Sequence, residues 1–228
     1  MQQLLTENPF RAVLFDMDNT LFDFIAAMKR GSAAAAEIIG EGTGDQLLSY
    51  YLRGKYHVED HANLQDFMQD TTGFTVDTYL AAVKAFEEAK FSGLQPYPGI
   101  TDILADLTEA GYTLAIVTDA YGYAAEERLR RTGLDQYFTE LIAYDTTGYK
   151  KPHHAPFQCA MDLLASAPYE TVYIGDSIRR DIEPAKALGM AAIYAAYGDR
   201  NFYESNRQCP AKVLIAQTPQ DIRNILIP

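Results

Sequence analysis

The sequence predicts an α/β protein, a Rossmann-like parallel sheet core with helices on both faces, plus a small all-helical domain inserted near its beginning. Three observations predict it. Short apolar runs that do not alternate with polar residues recur along the chain, which is the composition of strands covered on both faces. Stretches of helical periodicity follow them after short connections, and repeated βα units of that kind build parallel sheets. The third observation is an interruption: residues 24–90 show helical periodicity and no convincing strand. The α/β core is therefore assigned to residues 1–22 and 93–228, and the helical insertion to residues 23–92.

The first strand, residues 11–15, reads RAVLF and ends in acids. Asp16 and Asp18 are one residue apart, so in an extended segment both face the crevice beyond the strand ends, where open α/β sheets bind ligands. Asn19 tolerates a left-handed backbone and permits a sharp turn, and Thr20 can hydrogen-bond the turn it leaves. The insertion follows. Its first helix, FIAAMKRGSAAAAEIIG, stops at Gly40; a second helical region covers residues 45–69 with a break near His57; a third covers 76–90. His57 and His61 lie four apart, a spacing that could share a metal but more commonly marks a packed or exposed pair. Tyr50, Tyr51 and Tyr56 could line an entrance, and a packed amphipathic helix accounts for them equally well.

Residues 92–100, SGLQPYPGI, mark the return to the core, since two prolines and two glycines forbid continuous helix. A helix at 100–109 stops before Gly111, and 112–118 (YTLAIVT) is the second strand. Residues 119–132 read as a helix closed by Gly133, 140–144 as a short strand, and 156–165 as a helix with proline near its start. The fourth strand, 171–174, leads into Gly175 and Asp176. Residues 181–188 read as a helix with Pro184 in its first turn, and 191–196 as a fifth strand. A further apolar run, KVLIA, precedes TPQDIRNIL, where Thr218, Pro219 and Asp221 make a good helix start.

Composition narrows the functional classes. With 228 residues the chain can bury a substantial core without disulfide or metal staples. Cys159 and Cys209 stand far apart in unrelated contexts, so two free thiols in a reducing, cytoplasmic setting is the economical reading. The amino terminus lacks the basic start and apolar run of an export signal, and no stretch approaches the length of a membrane span. A net charge of −12 argues against a nucleic-acid partner. It leaves room for a small phosphate ester, provided a metal ion and a few basic groups reverse the sign locally. Oligomeric state is not legible.

In a parallel sheet the strand ends converge, and they would bring together Asp16, Asp18, Thr118, Lys151, Asp176 and Asp181. In this order the segments DMDNT, VTDA, KKPHHAPF and GDSIRRD resemble the four motifs of the haloacid dehalogenase superfamily, and DIEPAKALGM resembles its usual sequel. The likeness covers residues 10–22 and about 96–196, and the insertion after the first motif matches the position of the family's helical cap. Lys151, not Lys150, is matched because it directly precedes Pro152; Pro184 stands where the family more often has a small residue.

The resemblance implies a magnesium-dependent phosphomonoester hydrolase working through an aspartyl phosphate. Asp16 would be the nucleophile and Asp18 the general acid and base. Thr118, Asp119 and Lys151 would bind phosphate. Asp16, the backbone carbonyl of Asp18, and Asp176 would hold Mg²⁺, with Thr20 supporting the turn and Asp181 acting through water or by holding Lys151. Four acids would then crowd one pocket against the single cation Lys151. A 2-haloacid dehalogenase of the same fold is disfavoured because that branch lacks the second acid, a phosphomutase shares all four motifs, and a non-enzymatic phosphoaspartate receiver carries no helical insertion. The substrate's alcohol is not legible in the cap.

Overall fold

A computed structural model describes residues 9–200 and 209–227. The reading of the amino terminus falls largely outside that range. The chain forms two compact units, one spanning Phe24–Leu94 and the other taking the segments up to Asp23 and from Gln95 onward.

The second of these is built on six parallel strands. They are β1 (Ala12–Phe15), β2 (Thr113–Val117), β3 (Glu140–Ile142), β4 (Thr171–Gly175), β5 (Ala191–Ala195) and β6 (Leu214–Ala216), in the order β3-β2-β1-β4-β5-β6. All four residues of β1 and all five of β4 are buried, as expected of central strands covered on both faces. The run KVLIA contributes the edge strand, paired through Ile193↔Leu214 to Ala195↔Ala216. Leu14, Val117, Ile142, Phe157, Tyr173 and Ile182 belong to one core cluster beneath the strand ends. Truncating Phe157 there would cost about 3–5 kcal/mol from lost burial and the cavity left behind.

Register fixes what emerges at those ends. Phe15 lies opposite Ile116 in β2 and Ile174 in β4. One step further, Asp16 donates its backbone N–H to Ile174 O at 2.8 Å. Asn19 then takes φ 64°, the left-handed turn foreseen from its residue type.

Two helices of this unit begin elsewhere than expected. Beyond α5 (Ile100–Glu109), the helix after β2, α6 (Gly122–Thr132), starts three residues later than the periodicity suggests. Thr118 Oγ1 accepts from Ala120 N at 3.2 Å and Asp145 Oδ1 accepts from Gly122 N at 2.8 Å, so side chains take the amides that an earlier helix start would have left orphaned. Past α7 (Tyr144–Thr147), α8 (Ala155–Leu163) and β4 the chain enters a π-helical turn, Ile178–Ile182, capped by Ser177, before α9 (Glu183–Ala187). Pro184 offers no N–H to the carbonyl four residues back, and the wider turn stands immediately before it.

The helical unit holds α1 (Phe24–Ile39), α2 (Gly44–Leu52), α3 (Ala62–Asp70) and α4 (Val76–Phe91). The expected second helical region is thus split by a non-helical stretch at 53–61. His57 lies in that stretch and His61 at the start of α3, so the two do not share one helix face. Tyr51 stacks on Phe86 at 4.8 Å and is buried, a packed residue rather than an entrance lining. Among the described residues no helix is long and apolar enough to cross a membrane, and both cysteines are free thiols.

Candidate active site

The carboxyl ends of β1, β2 and β4 gather most of the residues singled out from the sequence. Asp16, Asp176 and Asp181 are all buried, and each offers an oxygen within 4.8 Å of the others. Lys151 sits among them with its side chain 1% exposed and each ammonium hydrogen given a partner: Asp16 Oδ1 at 2.5 Å, Asp181 Oδ1 at 2.7 Å and the Tyr173 hydroxyl at 3.0 Å. Burial opposes the Lys151 charge, but Asp16 and Asp181 outweigh it and hold its pKa well above the ordinary lysine value. The lysine is a permanent cation here.

Asp181 is tied on both oxygens. Besides Lys151, Oδ1 accepts from the Tyr173 hydroxyl at 3.1 Å, while Oδ2 accepts from Ser177 N at 3.0 Å. That approach requires Gly175, because a Cβ there would meet Asp181 Cγ at 2.6 Å. Asp176 is the opposite case: it is 1% exposed, and its Oδ1 has no hydrogen-bond partner. Burial, then the charges of Asp16 and Asp181, push its pKa well above the ordinary carboxyl value. A buried carboxylate oxygen without a donor costs several kcal/mol unless something cationic meets it. The donor set is all oxygen, with no histidine or cysteine in the group, and it fits a small hard divalent cation.

Thr20, fully buried, donates to Asp16 Oδ2 at 3.4 Å, and its carbonyl accepts from the Tyr197 hydroxyl at 2.7 Å. The loop carrying Tyr197 packs so closely on the first-strand turn that a Cβ on Gly198 would lie 1.7 Å from Asn19 O. Only glycine fits. Thr118 is buried at the end of β2 with its hydroxyl over the turn to Ala120.

Asp119 is engaged on both oxygens of its side chain. Its Oδ1 accepts from Lys151 N at 2.8 Å and its Oδ2 lies 3.5 Å from Arg180 Nη1, so its carboxylate braces the Lys151 loop. The crowding of four acids around one cation is corrected. Asp18 turns its carboxylate to Arg128, whose Nη1 lies 2.9 Å and 3.0 Å from the two oxygens. Arg180 adds a further cation: burial opposes its charge, yet Asp181, Asp176, Asp16 and Asp119 together raise its pKa.

Arg128, Arg180 and Tyr173 were not singled out in the sequence. For Arg128 a signal exists, since Ala124, Ala125, Arg128 and Leu129 are the buried face of α6 and a charge on such a face asks for a partner. For Tyr173 the signal is a lone hydroxyl in an otherwise apolar strand segment, VYI.

An open parallel α/β sheet whose strand ends assemble three acids around a buried lysine defines a class of hydrolytic enzymes built on a carboxylate centre. The sequence matches the haloacid dehalogenase-like hydrolase family over residues 13–195, and the chain belongs to that family. It is 31% identical over 192 residues to a glyceraldehyde 3-phosphate phosphatase from Methanopyrus kandleri, covering 80% of this chain and 82% of the relative. It is 30% identical over 211 residues to a phosphoglycolate phosphatase from Xanthomonas campestris, covering 92% and 94%. Among solved structures, the proposed HAD-hydrolase YfnB from Bacillus subtilis, bound to magnesium, superposes with a TM-score of 0.74 at 23% identity over 95% of this chain and 98% of that one, a likeness of fold.

Proposed function

We propose that the protein is a magnesium-dependent phosphatase that hydrolyses a small phosphorylated metabolite through an aspartyl phosphate on Asp16. The observation that carries this reading is the pairing of Asp16, held by Lys151 at 2.5 Å, with the neighbouring Asp176, whose buried Oδ1 lacks a partner. Relatives matching most of the chain are phosphatases of glyceraldehyde 3-phosphate and phosphoglycolate, both small phosphate monoesters, which supports the substrate class.

Asp16 attacks phosphorus, and the bond from phosphorus to the ester oxygen breaks as the new carboxylate–phosphorus bond forms. Asp18 gives a proton to the departing alcohol, then takes one from the water that attacks the aspartyl phosphate, which releases inorganic phosphate and restores Asp16. Thr118 donates a hydrogen bond to a phosphoryl oxygen, and Lys151 offsets charge on the nucleophile and the transferred group. Asp16, Asp176 and the backbone carbonyl of Asp18 would hold Mg²⁺, whose charge, when bound, neutralises the phosphate dianion that otherwise repels a carboxylate. Asp181 keeps Lys151 in place. The helical insertion, residues 23–92, is assigned the role of a cap that selects the substrate's alcohol; exchanging it for a short linker should erase selectivity among small esters.

The test is turnover of a panel of phosphorylated metabolites, including glyceraldehyde 3-phosphate and phosphoglycolate, with magnesium and after chelation. Activity should vanish with the metal and return when it is restored. Full activity in metal-free protein would sink the reading and revive a dehalogenase-like chemistry.

A further inference from the structure

Arg128 is 110 residues from Asp18 in sequence and 1% exposed, yet its Nη1 reaches both oxygens of that carboxylate, at 2.9 Å and 3.0 Å. The guanidinium is anchored from its own helix as well, because Nε donates to Ala124 O at 3.1 Å. It stands on the buried face of α6 between Ala125 and Leu129, a position where an apolar side chain would pack at no electrostatic cost. Replacing a buried ion pair by well-packed apolar residues is often neutral or stabilising, so fold stability alone does not call for arginine here. The Asp18 side chain is 22% exposed and a reactant can reach it, whereas Arg128 lies behind it.

We propose that Arg128 is a positioning residue: it fixes the plane and direction of the Asp18 carboxylate so that the proton passes between that group and the ester oxygen. The inference rests on the reading of Asp18 as general acid and base. A carboxylate otherwise rotates readily about its terminal torsion, and proton transfer needs a hydrogen-bond geometry held within narrow limits. One cation bridging both oxygens removes that freedom without touching the reactant.

The experiment compares two esters that differ in their need for a proton. An aryl ester, p-nitrophenyl phosphate, expels a stable phenolate; an alkyl phosphate that the wild-type enzyme turns over expels an alkoxide that must be protonated. The readout is kcat/KM for the alkyl ester divided by kcat/KM for the aryl ester, each pair measured on one preparation so that any loss of folded enzyme cancels. In Arg128→Met this ratio should fall by about tenfold to a hundredfold, the scale of misplaced acid catalysis. Arg128→Lys, which keeps the charge and much of the volume, should fall in between, and it carries the test if the methionine variant does not fold. A ratio unchanged in the variants, or equal losses on both esters, would overturn the inference and leave Arg128 a packing residue. Absence of any phosphate-ester turnover by the wild-type enzyme would instead overturn the phosphatase reading itself, and with it the role given to Asp18.

Discussion

In the helical unit, Lys90 is buried against Glu59 at 3.4 Å and Glu87 at 2.8 Å, and Glu87 is also bridged to His61 Nε2 at 3.1 Å. His61 Nδ1 in turn lies 2.9 Å from the Tyr51 hydroxyl, so the chain of polar contacts runs unbroken from Glu59 to Tyr51. Burial works against the charge on Glu87, but His61 and Lys90 hold its pKa below the ordinary value. In the α/β unit, Lys151 is equally buried between two acids, Asp16 and Asp181, but a third acid beside them, Asp176, keeps an oxygen with no donor. The lesson lies in the balance. A buried ionic cluster whose members satisfy one another adds specificity to a fold, while one left with uncompensated negative charge is shaped for something to arrive.

The two clusters should differ most at Asp16. Asp16→Asn keeps the shape of the site and removes the proposed nucleophile, and turnover should fall on the order of 10⁴-fold or more. Steady-state rates on the best substrate of the panel check this, with circular dichroism confirming the fold. Retained activity would move the chemistry to another carboxylate.

The helical cluster should respond in stability. Lys90→Met removes the buried cation shared by Glu59 and Glu87, and denaturant unfolding should record a loss on the order of 3 kcal/mol. A loss below about 0.5 kcal/mol, the scale of an ordinary surface change, would show that this cluster is not holding the helices.

Asp176→Asn should act in the reverse sense. A carboxyl whose pKa is raised by folding favours the folded state below its unfolded pKa and loses that contribution as pH rises through the folded value. Metal-free wild-type protein should therefore lose stability relative to Asp176→Asn as pH climbs above the ordinary carboxyl value of 3.8. Magnesium at about a hundred times its dissociation constant should stabilise the wild type by roughly 2.7 kcal/mol. The Asp176→Asn response should shrink sharply, and that of Asp18→Asn should largely persist, because only the Asp18 backbone carbonyl is assigned to the metal. Melting temperatures with and without magnesium decide it.

The smallest effect is expected at Tyr173. Tyr173→Phe removes one of three partners of the Lys151 ammonium and should cost about 1 kcal/mol in thermal unfolding. No measurable change would mean that Asp16 and Asp181 alone fix the lysine.

What the sequence made legible is what local chemistry dictates. β1 and β4 are uninterrupted apolar runs, and the acids stand where those runs end, so strand ends and carboxylates could be read together. The left-handed turn at Asn19 and the cap at Thr218 were legible for the same reason, since residue type alone constrains the backbone there. What escaped depended on partners distant in the chain. Arg128 is explained by Asp18, and the Asp119 carboxylate by the Lys151 amide 32 residues on. The break in the second helical region was legible near His57, and the structure extends it over residues 53–61, with a left-handed turn at Gly54, φ 74°.

The strand order has a consequence in time. β1 is central in the sheet and first in the chain, yet Ala12 pairs with Thr113 on one side and with Thr171 on the other. At about 5–20 residues per second of synthesis, roughly 5 to 20 seconds separate the appearance of that strand from that of its first partner. During that interval four consecutive apolar residues have no sheet to enter, while the helices between Phe24 and Phe91, whose contacts are local, can form as they emerge. The segment that bears the proposed nucleophile is thus made well before either of its sheet partners, and the newborn chain is exposed to aggregation along that strand while it waits.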